Sequence, residues 1–140
     1  MPDPRRFLYR HRVRYDEVDR MGVIHHRSYV RYFENARVEL LREADFPHRA
    51  LEDSGVWFVV TGLEVSFKAA AGYDEEIVVQ TVVGRAGGAS VEFHHRVLHG
   101  DRLLATGRVG LACTDGKGAV TRLPARLRDV LRKLAGIVEN

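Results

Sequence analysis

The chain has 140 residues, 45% hydrophobic and 29% charged, with a formal net charge of +3 and one cysteine. That length supports one hydrophobic core and is short for two ordinary domains, so residues 1–140 are expected to form a single domain. A lone Cys113 excludes an intramolecular disulfide. The chain has neither a secretory apolar core segment nor the ~18 consecutive apolar residues of a membrane helix, so the expectation is a cytoplasmic, membrane-free protein.

Phe7 to Tyr15 alternates loosely between apolar and basic residues and predicts a first strand. From Ser28 to Ala44, the residues Tyr29, Phe33, Ala36, Leu40 and Ala44 recur at helical spacing, with Ser28 as the expected N-cap. Pro47 is expected to stop that helix, and Pro47 to Ser54 to form a short helical piece closed by Gly55. Then the period changes to two. Leu63, Val65 and Phe67 alternate with polar neighbours in a strand that begins as early as Val56.

Ile77 to Val83 is a β-branched run, and Gly87-Gly88 after it reads as a hairpin turn, since neither the helix nor the lysine of a phosphate loop follows. Val91, Phe93, His95 and Val97 alternate in the next strand, and His99-Gly100-Asp101 turns into Leu103 to Cys113, with Cys113 a small buried hydrophobe. A terminal amphipathic segment follows Pro124, carrying Leu127, Val130, Leu131 and Leu134 on one side. The last three strands, joined by tight turns, imply an antiparallel meander. The long helix needs an apolar partner surface, and the sheet offers the only large one, so the class is α+β, an antiparallel sheet wrapped around one long central helix.

The chemistry concentrates in Tyr15-Asp16-Glu17-Val18-Asp19-Arg20-Met21-Gly22-Val23-Ile24-His25-His26, which places carboxylates, a glycine turn and paired imidazoles at the mouth of the long helix. A helix N-terminus carries unpaired N–H groups that favour developing negative charge. Asp19 by itself is also a common turn residue, and both readings stand at this level. The adjacent side chains of His25 and His26 are expected to diverge, which argues against a shared metal. His11, His48, His94, His95 and His99 read as structural or surface groups. The arginines near both ends, Arg5, Arg6, Arg10, Arg12 and Arg14 and then Arg122, Arg126, Arg128 and Arg132, read as a solvated face, because no nucleic-acid module accompanies them.

Val13 to His26, Tyr29 to Arg42 and Val65 to Glu75 together resemble the hotdog-fold acyl-CoA thioesterases of the 4-hydroxybenzoyl-CoA thioesterase-like family, in its branch of broad acyl-CoA thioester hydrolases. The resemblance implies a hotdog fold and hydrolysis of an acyl-CoA to a free acid and coenzyme A, without metal or organic cofactor. It implies that Asp19 is the catalytic carboxylate, as nucleophile or general base, and that the backbone N–H of His26 polarises the thioester carbonyl. Glu34 matches a second carboxylate position near the acyl pocket, although pairing with Arg31 or Arg37 explains it equally well. His25 stands where tyrosine is usual in the branch, and Ala70 where proline is usual.

Gly22, Val23, His25, Val30, Phe33, Trp57 and Phe58 are the expected substrate-binding residues, and Arg85 and Arg96 are candidates for the nucleotide end. The implied assembly is a homodimer or homotetramer, with Asp19 of one subunit near the other subunit's Trp57 to Val60 segment. Two alternatives remain at this level: a hotdog dehydratase or hydratase, and a non-catalytic acyl-CoA-binding protein.

Overall fold

The structure is a computed structural model that describes residues 6–136. Arg5, one of the basic residues named above, lies outside them. Five strands form one sheet: β1 (Phe7–Arg12), β2 (Trp57–Phe67), β3 (Glu76–Ala86), β4 (Ser90–His99) and β5 (Arg102–Thr114), in the spatial order β1-β3-β4-β5-β2. All neighbours are antiparallel, and β3, β4 and β5 form the expected meander. Among the described residues three α-helices complete the fold: α1 (His26–Glu43), α2 (His48–Asp53) and α3 (Ala125–Gly136).

The period of two decides which face is dry. Thr81, His95 and Gly107 lie abreast on β3, β4 and β5. Their odd-numbered neighbours Ile77, Val79, Val83, Val91, Phe93, Val97, Val109, Leu111 and Cys113 are all buried. Phe33 of α1 seats on this face. Its ring stacks on His95 at 4.6 Å between centroids. It also fills the space over Gly107, where an added Cβ would come within 2.4 Å of the ring.

A second helix shares that face, a placement on which the sequence reading was silent. Leu127 and Leu131 of α3 are fully buried, and Leu131 shares a cavity with Leu41, Phe58 and Phe93. The terminal helix therefore packs beside the second half of α1. An 18-residue helix spans about 27 Å, and α3 covers apolar surface along its second half, where Leu40 and Ala44 share a recess with Val130 and Leu134.

Two helix boundaries also differ from expectation. α1 begins at His26 with His25 as N-cap, and Ser28 is buried inside the first turn. It ends at Glu43, before Pro47, because Asp45 adopts a left-handed φ of 70°. Pro47 instead caps the start of α2.

β2 is an edge strand and is poorly covered. Trp57, Val59, Val60, Leu63 and Phe67 are each 41% to 55% exposed. Its alternation thus has no buried face within one chain. Among the described residues no helix is long and apolar enough to cross a membrane.

Candidate active site

Beyond β1 the chain makes one 3-10 turn, Tyr15–Glu17, and then a tight loop before α1. The loop is closed by its own backbone: the N–H of Asp19 donates to the Val23 carbonyl at 2.8 Å, and that of Gly22 to the Asp19 carbonyl at 2.9 Å. Gly22 sits at φ +81°, a conformation that L side chains resist. The Asp19 side chain completes the turn, its Oδ1 accepting from Met21 N at 2.8 Å and Val23 N at 3.4 Å. Both bonds end on Oδ1, and Asp19 lines a recess with Tyr15, Val18, Arg20, Met21, Gly22, His25, Arg27 and Tyr73. Because the turn bonds fall on one oxygen, the turn reading of Asp19 leaves its catalytic reading open.

The helix meets this loop at its N-terminus. His25 caps α1 through Nδ1, which accepts from Arg27 N at 3.0 Å. The extended φ,ψ of His25 leads directly into His26, whose N–H is the first of the helix and has no intrahelical partner. The two imidazoles do not diverge as the sequence suggested; their centroids are 4.1 Å apart. Desolvation, then the neighbouring charges of His26 and Arg27, lower the His25 pKa, against a raising pull from Asp19. Neutral His25 suits the cap, because Nδ1 must keep its lone pair. Among the described residues no group of three His, Cys, Asp or Glu side chains is placed to hold a metal ion.

The other named residues scatter. Val23 pairs with Gly72 in an isolated bridge beside the recess. Phe33 is fully buried against the sheet, so within this chain it packs the core and does not line an acyl slot. Val30 and Trp57 are exposed, and Phe58 lines the cavity shared by α1, α3 and the sheet. Glu34 and Asp19 line different recesses. It pairs with Arg37 at 3.5 Å and borders the Phe58 cavity. Burial lowers the Arg37 pKa, while Glu34 works to raise it.

One cluster was not legible in the sequence. Glu17 is only 7% exposed. Its Oε1 accepts from Arg14 N at 2.9 Å, Tyr32 Oη at 2.9 Å and His11 Nε2 at 2.8 Å. Alternation along β1 puts His11 on the same face as Phe7 and Tyr9, and Tyr32 falls four residues after Ser28 on α1. Those spacings were the available signal, but neither says that a carboxylate lies between them.

A family model of the thioesterase-like superfamily matches residues 13–134. The chain belongs to that superfamily. Among its members, acyl-CoA thioesterase YbgC of Haemophilus influenzae is 32% identical over 130 residues, covering 91% of this chain and 96% of that protein. Acyl-CoA thioester hydrolase YbgC of Escherichia coli is 36% identical over 105 residues, covering 74% of this chain and 78% of that protein. The crystal structure of a probable thioesterase from Bartonella henselae matches with a TM-score of 0.81 at 31% identity, covering 85% of this chain and 99% of that one. The thioesterase-like superfamily chain thus carries the hotdog fold, and its match begins at Val13, just before the loop that presents Asp19.

Proposed function

We propose that this protein hydrolyses acyl-CoA thioesters to a carboxylic acid and coenzyme A, with Asp19 and the backbone N–H of His26 as the reacting pair. The observation that carries the assignment is that the Asp19 carboxylate, with both its turn bonds on Oδ1, shares one recess with His25, the cap of α1. The names of the similar proteins support the substrate class.

The thioester oxygen docks on the His26 N–H, where the orphan donor and the helix dipole stabilise the negative charge that forms on it. Asp19 then either attacks the carbonyl carbon, giving a mixed anhydride that water opens, or removes a proton from the attacking water. Both routes consume one water and release the thiol. Arg20 and Arg27 rim the recess and are better placed than Arg85 or Arg96 to meet phosphate charge, since neither of the latter lines it.

A second copy of the chain completes the reading. The exposed apolar residues of β2 form an unpaired sheet edge, which soluble proteins rarely leave open. Pairing there would bring a partner's Trp57 to Val60 segment toward Asp19. Glu34 borders the same cavity as Phe58, so Glu34 would approach Asp19 from the partner and not within its own chain.

Thiol release measured across a series of acyl-CoA chain lengths tests the function. Turnover on at least one chain length is the expected result. An enoyl-CoA that loses its conjugated double bond without releasing thiol would instead make the protein a hydratase. Tight acyl-CoA binding without either reaction would make it a carrier.

A further inference from the structure

The buried carboxylate of Glu17 sits where three segments meet. On the side-chain level it accepts hydrogen bonds from β1 (His11 Nε2), from the entry to the 3-10 turn (Arg14 N) and from the second turn of α1 (Tyr32 Oη). His11 also reaches Oε2, at 3.1 Å. An ionised carboxylate only accepts, so His11 Nε2 and Tyr32 Oη are both donors here. On the backbone level the Glu17 carbonyl accepts from His25 N at 2.8 Å and Ser28 Oγ at 2.9 Å. Ser28, expected to cap the helix, is therefore spent on this junction. One residue earlier, the Asp16 carbonyl accepts from the Arg27 guanidinium at 3.1 Å.

The links from Tyr32, Ser28, Arg27 and His25 tie the loop to the cap and first two turns of α1, and those from His11 and Arg14 tie the same carboxylate to β1 and the turn. Two residues after Glu17 comes Asp19, and the residue after the cap it holds is His26. An apolar side chain here would strip Arg14 N, Tyr32 Oη and His11 Nε2 of the acceptor they share, so the carboxylate holds the junction together as well as shaping it. The charge adds direction, and several donors converging on one oxygen fix angles that packing leaves soft. Burial would raise the Glu17 pKa, but the hydrogen bonds from Arg14, His11 and Tyr32 outweigh it and hold the carboxyl below its ordinary value.

We propose that Glu17 is a positioning residue for the reaction, a buried clamp that sets the separation between the Asp19 carboxylate and the His26 N–H. This rests on the reading of Asp19 and His26 as the reacting pair. Attack on a carbonyl tolerates little error in that separation, and a misplacement of about 1 Å costs on the order of a hundredfold in rate.

The test uses the full chain and three variants, Glu17→Gln, Tyr32→Phe and Asp19→Asn, with kcat and KM from thiol release and the Kd of a thioether analogue of the same acyl-CoA. Tyr32→Phe keeps the buried ring and removes a single donor, so it carries the test if Glu17→Gln does not fold. The expected result is a kcat lowered about tenfold in Tyr32→Phe and more in Glu17→Gln, with KM and the analogue Kd within about threefold of wild type. A wild-type kcat in folded Tyr32→Phe and Glu17→Gln, or a KM and Kd that weaken in step with kcat, would overturn the clamp while Asp19→Asn remained inactive. Wild-type turnover in Asp19→Asn would overturn the catalytic reading itself, and the clamp with it.

Discussion

Oδ1 of Asp19 accepts the N–H of Met21 at 2.8 Å, so this carboxylate builds the turn that borders the recess. Asn retains an Oδ1 acceptor and fits the same turn, which makes Asp19→Asn a clean separation of structure from chemistry. The variant should unfold at the wild-type midpoint and bind an acyl-CoA analogue normally. Its turnover should fall about a hundredfold or more, the usual contribution of a positioned acid–base group or nucleophile. Thiol release within threefold of wild type would remove Asp19 from the mechanism.

His26 offers a backbone test that side-chain substitution cannot give. As the first residue of α1, preceded by the extended His25, it is a position where proline fits the helix and the residue before it without strain. His26→Pro deletes the N–H, and His26→Ala keeps it. Loss of an oxyanion donor should lower kcat about a hundredfold to a thousandfold in the proline variant. The alanine variant should retain most of its turnover. Equal losses in the two would assign the role to the imidazole.

The seat of α1 on the sheet can be probed at Gly107. An added Cβ there would stand 2.4 Å from Cε2 and Cζ of the fully buried Phe33, whose ring is pressed against His95. No flexible end is available to move aside. Gly107→Ala should lower the unfolding free energy by ~1–3 kcal/mol, the usual cost of overpacking. Combining it with Phe33→Leu should recover part of that loss, and strict additivity of the two in a denaturant titration would argue against the contact.

His95 gives the fold a dependence on pH. Desolvation, followed by the nearby charges of Arg37 and His94, pushes its pKa from 6.5 down to about 3. The unfolded chain then binds more protons than the folded one between those two values, so stability is complete above about pH 6.5 and declines as pH falls toward about 3. Glu17 loses its contribution only lower down, as pH drops below its ordinary value of 4.5. Urea midpoints at pH 7.5 and 5.0 should therefore differ in the wild type, and the difference should shrink in His95→Gln. An unchanged difference would mean that His95 is not the titrating group.

Local pattern determined most of the architecture. Alternation at Ile77, Val79 and Val83, at Val91, Phe93, His95 and Val97, and at Val109, Leu111 and Cys113 marked the dry face, because side chains in a strand turn over every residue whatever lies across from them. The three- and four-residue spacing of Tyr29, Phe33, Ala36, Leu40 and Ala44 marked α1 for the same kind of reason. The turn at Gly22 and a helix entrance soon after it were legible as local structure, since both are written in nearly consecutive residues.

The tertiary structure alone decided what depends on partners distant in sequence. His11 and Tyr32 meet Glu17 only once β1 and α1 are brought together, and burial then makes a carboxylate that looked like its exposed neighbour Asp16 the most heavily hydrogen-bonded acid of the loop. Phe33 read as a slot residue because its stripe faces the sheet, but the absence of a side chain at Gly107 draws its ring fully into the core. Glu34 and Arg37 face the cavity that α3 closes, a placement set by a helix some ninety residues away. A sequence states what each residue prefers locally; which polar group ends up without water, and so must find a donor, is determined by the packing of the whole chain.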